Sequence, residues 1–224
     1  AMLEAALDDA FQTLMGWADD ERDIGIRANA DTPADAQLAR NFDAQGIGLC
    51  RTEHMFFEPG RLTVMREMIF AETSSGRAAV LARLLPMQRG DFYELFRIMA
   101  GMPVCIRLFD PPLHEFLPTT KTGQRELSEA LDIPVRDVTR RVEEMGEYNP
   151  MLGLRGVRLG VTGPELYDMQ ARAIFEAALD ASQDGAPVVP EIMIPLVSAK
   201  REVELVKARI DAVAAAVKSE RGAE

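Results

Sequence analysis

The chain has 224 residues, 47% of them hydrophobic and 27% charged, with a formal net charge of −11 from 36 Asp and Glu against 25 Lys and Arg. That content suits one large or two small globular domains able to bury a core. The acidic balance argues against partners that demand a basic face, nucleic acid and anionic membrane surfaces, and with no secretory h-region or membrane-length apolar run a cytoplasmic location is expected.

Apolar side chains recur at helical spacing over residues 3 to 20 (Leu3, Leu7, Phe11, Leu14, Met15), predicting a connecting helix over 1–22. "IGIRANADTP" alternates as a strand over 24–33, and Thr32 then caps a helix that has Pro33 at its first position. "GIGLCRTE" reads as a second strand, followed by a helix opening behind Pro59 and by helical stretches over about 75–84 and 88–100. "MPVCIRLFDPP" is a third strand, stopped by a double proline that fits neither a helix interior nor a sheet centre.

A long polar connection follows. It is helical over 124–147, then glycine-rich over 149–165, where "RGVRLGV" is assigned to the loop. Residues 164–183 predict another helix and 187–197 a fourth strand. Ser198 is expected to cap a last helix to about residue 218, with Val203, Val206, Ile210, Val213 and Val217 at helical spacing. Strands alternating with helices imply parallel pairing, the pattern of an α/β fold. The two cysteines, Cys50 and Cys105, sit in apolar runs as small reduced core residues, and the methionines follow core positions.

In a parallel β/α barrel the chemistry gathers at the carboxyl ends of the strands. Arg51 ends the second strand, Arg107 falls late in the third, and Arg155 lies in the glycine-rich segment that would pass over the same face. Three planar, permanently charged forks at one mouth suit a phosphate. Ion pairing that stiffens the rim, Glu53 with Arg51 or Asp110 with Arg107, is the alternative, and ion pairs are commoner than ligand sites. His54 and His114, beside Glu53 and Glu115, read as structural hydrogen-bonding residues, and Arg27 and Asn29 as rim contributors. Glu191 is the one carboxylate candidate on the fourth strand for a lyase-like barrel, and it falls early in that run. No metal-spaced His or Cys pair, nucleophile elbow or P-loop occurs.

Several segments together, "ANADTP", "GIGLCRTEHMFF", "LLPMQRGDF", "IRLFDPPLHEFLP", "NPMLGLRGVRLG", "MQARAIFEAA" and "VVPEIMIPLV", resemble the barrel of the pyruvate phosphate dikinase family that binds phosphoenolpyruvate (PEP) and pyruvate. The resemblance runs over nearly the whole chain. It implies a partial TIM-type (β/α) barrel, with residues 23–224 as the first half and about four of eight parallel strands. It also implies that Arg51, Arg107 and Arg155 bind the phosphoryl group of PEP. The reaction implied interconverts ATP, pyruvate and phosphate with AMP, PEP and diphosphate.

By the same resemblance the Mg2+ ligands and a proton-donating cysteine lie beyond Glu224, and the ATP-grasp and phosphohistidine domains are further parts of the enzyme. This chain is then a fragment with neither catalytic nor metal-binding residues of its own, inactive alone, and a homo-oligomer through its open sheet edges. Leu154 stands where the family often has histidine. The related barrels of PEP synthase and of enzyme I of the sugar phosphotransferase system rank second, and a dimerisation module without ligand-binding competence is the competing class.

Overall fold

A computed structural model of the chain describes residues 8–185 and 188–222. Within them four parallel strands, β1 (Ala28–Asn29), β2 (Ile47–Arg51), β3 (Val104–Arg107) and β4 (Pro190–Met193), form one sheet in the order β1-β2-β3-β4. Parallel neighbours need crossovers, and helices supply them. These are α2 (Pro33–Asn41) before β2, α3 (Pro59–Phe70) and α4 (Ser74–Ile98) before β3, and α5 (Lys121–Leu131), α6 (Val135–Met145), α7 (Val157–Thr162) and α8 (Glu165–Asp184) before β4. The helices α1 (Asp9–Glu21) and α9 (Lys200–Arg221) flank the set. Four parallel strands with flanking helices make a partial β/α barrel.

The sheet has one dry face. In β3, Val104 and Ile106 are wholly buried while Cys105 and Arg107 are only partly so, because successive side chains point to opposite faces. The dry face packs on α4 and α8, which bury Leu81, Leu84, Phe92, Leu95 and Phe96 from one and Ile174, Ala177 and Ala181 from the other. Burial pushes the Cys50 thiol up, with nearby carboxylates adding to it, so Cys50 is an inert core residue.

Local chemistry explains most boundaries. Thr32 and Asp35 form a reciprocal capping box at the start of α2. Ser198, the expected cap, lies one residue ahead of the N-cap of α9, which is Ala199, and Glu202 accepts from the backbone N–H groups of both. Those two bonds, the Ser198 one first, hold the Glu202 carboxyl below its usual range.

Several elements differ from the sequence pattern. The expected strand over 24–33 is laddered only at Ala28–Asn29, since β1 is an edge with a single neighbour. The second strand stops at Arg51, where a 3-10 turn takes over at Thr52–Phe56. The stretches expected at 75–84 and 88–100 are one helix that runs through Pro86, because its buried stripe continues on both sides of the proline. The helix expected over 124–147 is two, parted where Asp132 adopts a left-handed conformation ahead of Pro134. The "RGVRLGV" segment assigned to a loop is the short helix α7. Residues 3–7 of the first predicted helix, and Pro187 of the fourth strand, lie outside the described residues.

The α1 helix buries none of its residues, with Leu14 59% exposed, whereas Phe92 is 0% exposed. Phe92→Ala is therefore expected to cost about 3–5 kcal/mol in urea unfolding, and Leu14→Ala less than about 0.5 kcal/mol.

Candidate functional site

The ends of β2 and β3 put two guanidiniums side by side. Arg51 and Arg107 are register partners, each the last residue of its strand. Partners in adjacent strands share a face, so both side chains leave the sheet toward the same rim. Thr52 locks the two strand ends by donating its hydroxyl to the Arg107 carbonyl oxygen at 3.0 Å.

Each arginine meets a carboxylate. Arg51 donates its backbone N–H to Asp31 Oδ1 at 2.6 Å and its guanidinium to Asp31 Oδ2 at 3.2 Å. Arg107 pairs with Glu53 and, through its second terminal nitrogen, with Asp110 Oδ2 at 3.2 Å. Arg155 reaches the same Asp110 oxygen at 2.9 Å. One carboxylate therefore joins the third strand's arginine to the arginine of the glycine-rich segment. The three arginines lie at one mouth, linked in series through the strand pairing and Asp110.

The rim alternatives resolve unevenly. Asp110 does pair with Arg107, as the ion-pair reading expected. Glu53 pairs with Arg107, and Arg51 takes Asp31 instead. Asp31 was hidden in the sequence because the "DTP" run around it is already explained as a helix start. His54 Nδ1 lies 2.8 Å from Asp31 Oδ2, so this histidine orients on the same carboxylate as Arg51. His114 sits in a 3-10 turn, Leu113–Phe116, with its Nδ1 buried and without a hydrogen-bond partner. Arg27 lies away from this mouth in a two-pronged pair with Glu191, at 2.5 and 3.1 Å. That pair raises the Arg27 pKa and engages the carboxylate considered for lyase chemistry. Asn29 stays in β1, opposite Leu49 of β2.

Formally the mouth is neutral, three guanidiniums against Asp31, Glu53 and Asp110. The charges are layered, however. The Asp110 side chain is 8% exposed and Glu53 9%, against 20% for Arg107 and 21% for Arg155, so the positive groups form the outer layer. A guanidinium carries five N–H donors, and the carboxylates use a minority of them. The buried Nε atoms of Arg107 and Arg155 have no hydrogen-bond partner, and neither do Glu53 Oε2 and Asp110 Oδ1. Both guanidinium side chains stay partly exposed, so donors that the carboxylates leave free can hold a tetrahedral oxyanion without breaking the pairs that fix them.

Gly156 brings the glycine-rich segment down onto this rim. Its backbone has φ +54°, and its N–H donates to the Asp110 carbonyl oxygen at 2.9 Å. A Cβ there would lie 2.8 Å from Leu196 Cβ and 3.1 Å from Asp110 Oδ1. Leu196 is itself at φ +60°, a second strained position on the same rim. Among the described residues no group of three or more His, Cys, Asp or Glu side chains is clustered to hold a metal ion. No described helix is long and apolar enough to cross a membrane.

Comparison with known proteins gives a consistent result. The family described as PEP-utilising enzyme, PEP-binding domain, matches residues 5–224. The chain is 58% identical over 222 residues to the pyruvate, phosphate dikinase of Rhizobium meliloti, covering 99% of this chain and 25% of that protein. It is 51% identical over 220 residues to the enzyme of the same name from Giardia intestinalis, covering 98% of this chain and 25% of that protein. Against the one from Clostridium symbiosum it is 45% identical over 222 residues, again 99% and 25%. The chain thus spans about a quarter of the length of the curated relatives it matches.

Gly156→Ala is expected to destabilise the chain by about 1–3 kcal/mol, since the positive φ and the crowding against Leu196 and Asp110 act together. The urea midpoint reads this directly, and an unchanged midpoint would show that the rim relaxes at no cost.

Proposed function

The chain belongs to the PEP-utilising enzyme family, as its PEP-binding domain, and on that premise we propose that its rim arginines hold the phosphoryl group of PEP within a pyruvate phosphate dikinase. Arg51, Arg107 and Arg155 supply charge and orientation. The observation that carries this reading is the layering at the mouth, where the guanidiniums of Arg107 and Arg155 share Asp110 and stay more exposed than it.

In the reaction so assigned, a phosphoryl group moves between a phosphohistidine and the enolate oxygen of pyruvate, and ATP and phosphate react at a separate site. This chain's contribution is positioning and neutralisation of the three phosphoryl oxygens. Fixed guanidiniums need no reorganisation when charge shifts from the bridging to the terminal oxygens. Mg2+ would supply further neutralisation in the whole enzyme, and the described residues cluster no ligand set for it. The phosphohistidine and ATP-grasp domains, the general acid and the cytoplasmic setting belong to the whole protein in this reading. So does association into a homo-oligomer.

A rim of purely structural ion pairs is the competing reading, favoured by the charge balance at the mouth. Arg51→Ala and Arg107→Ala separate the two. On the substrate reading, calorimetry finds PEP affinity reduced more than about tenfold by either change, and light scattering finds the association state, above monomer, unaltered. Unchanged affinity with altered assembly would establish the structural alternative.

The chain alone is expected to show no dikinase turnover. Pyruvate appearing from PEP, AMP and diphosphate would overturn that expectation.

A further inference from the structure

Two polar side chains of α8 are among the most deeply buried in the molecule, and the site as described leaves both unused: Tyr167 is 2% exposed and Gln170 0%. Spaced i, i+3, they lie on one helical face. Both reach the backbone of the same rim residue. Gln170 Oε1 accepts the Phe109 N–H at 2.8 Å, and Tyr167 donates its hydroxyl to the Phe109 carbonyl oxygen at 2.8 Å.

The position of that residue matters. The β3 ladder ends at Arg107, and the last backbone bond to β4 is Leu108 N–H to the Met193 carbonyl oxygen at 3.0 Å. The next residue, Phe109, is wholly buried, so its backbone groups need partners where the sheet no longer supplies them. The residue after it is Asp110, the shared partner of Arg107 and Arg155. The Asp110 carbonyl oxygen in turn accepts from Gly156, the residue that follows Arg155. Three backbone groups of two adjacent residues, Phe109 N–H, Phe109 C=O and Asp110 C=O, are therefore anchored to α8 twice and to the arginine-bearing segment once.

The surroundings are shaped for this arrangement. A Cβ on Gly160 of α7 would overlap the Tyr167 ring, so glycine there is what admits the tyrosine. The Phe109 ring packs between Phe56 and Phe116, with centroids at 5.9 and 5.3 Å. Burial, and after it the charge of Asp110, pushes the Tyr167 phenol up, so the hydroxyl stays a donor wherever the protein is folded.

We propose that Tyr167 and Gln170 are positioning residues for substrate: by gripping both ends of the Phe109 residue they place Asp110 so that Arg107 and Arg155 stand at the separation one phosphoryl group bridges. The inference rests on the PEP reading of the rim. It gives the "MQARAIFEAA" stretch, otherwise only a helix, a role in recognition. A merely structural pair of hydrogen bonds would stabilise the fold without affecting affinity.

The test uses Tyr167→Phe, which deletes one oxygen, and Gln170→Met, which removes the acceptor at similar volume. Calorimetry gives the Kd for PEP and thermal unfolding gives Tm, each beside a remote core change, Phe92→Leu. The proposal expects Kd to rise about tenfold in both α8 variants, while Phe92→Leu lowers Tm and keeps Kd. Should Gln170→Met fail to fold, Tyr167→Phe carries the test alone. Affinity within twofold of the parent in Tyr167→Phe, whatever its Tm, overturns the positioning role and leaves the arginine reading intact. A parent chain that binds no PEP overturns the arginine reading, and the positioning role with it.

Discussion

The pairing of Arg107 with Arg155 turns on one carboxylate. Asp110 is 6% exposed and receives guanidinium nitrogens from Arg107 and Arg155 on a single oxygen. A buried anion needs paired cations, and two adjacent cations need an anion between them, so neither half of this arrangement stands without the other. The carboxylate sits two residues beyond the last backbone bond of its strand to β4, where the backbone has no ladder to fix it. Its placement depends on bonds from other elements, and the rest of the fold supplies them.

That dependence gives the helix layer two duties. The apolar faces of α4 and α8 bury the outer side of the sheet, which is ordinary for a β/α crossover. The same α8 surface also carries Tyr167 and Gln170 to the backbone N–H and C=O of Phe109. Polar groups in so dry a setting are costly unless bonded, and here the bonds go to backbone that the sheet has left unpaired. The other side of the rim follows a different plan. Arg51 is held by Asp31, from the loop after the first strand, and His54 shares that acceptor. Two carboxylates from separate loops thus fix arginines from adjacent strands.

Chain order and composition made much of this legible. The alternation of strand-like and helix-like runs announced a parallel sheet, and Thr32, Pro33 and Pro59 marked helix starts that hold, whereas the third strand, expected over 102–112, ladders only over Val104–Arg107, ahead of the double proline. Arg51 and Arg107 stood out because a charge late in an apolar run is conspicuous, and Arg155 because its glycine-rich segment is expected over the same face. Other features gave no such signal. Pro86 reads as a break although α4 continues through it, since the burial that outweighs one lost backbone bond comes from other elements. "RGVRLGV" has glycines that suggest a loop, yet its short helix forms where Gly156 turns and Gly160 fits the Tyr167 ring. Gln170 looked like one more polar residue on a helix.

By itself the sequence determined the α/β class, the parallel order of the elements, the resemblance to a PEP-binding barrel and the identity of the three arginines. The class and the order follow from local periodicity and residue type, the resemblance from matching stretches of sequence, and neither needs knowledge of any distant contact. Only the tertiary structure decided which carboxylate each arginine meets: Asp31 for Arg51, Glu53 and Asp110 for Arg107, and Asp110 again for Arg155. An ion pair depends on distance in space. Arg155 and Asp110 are 45 residues apart in the chain, and α5 and α6 must fold between them before the 2.9 Å contact exists.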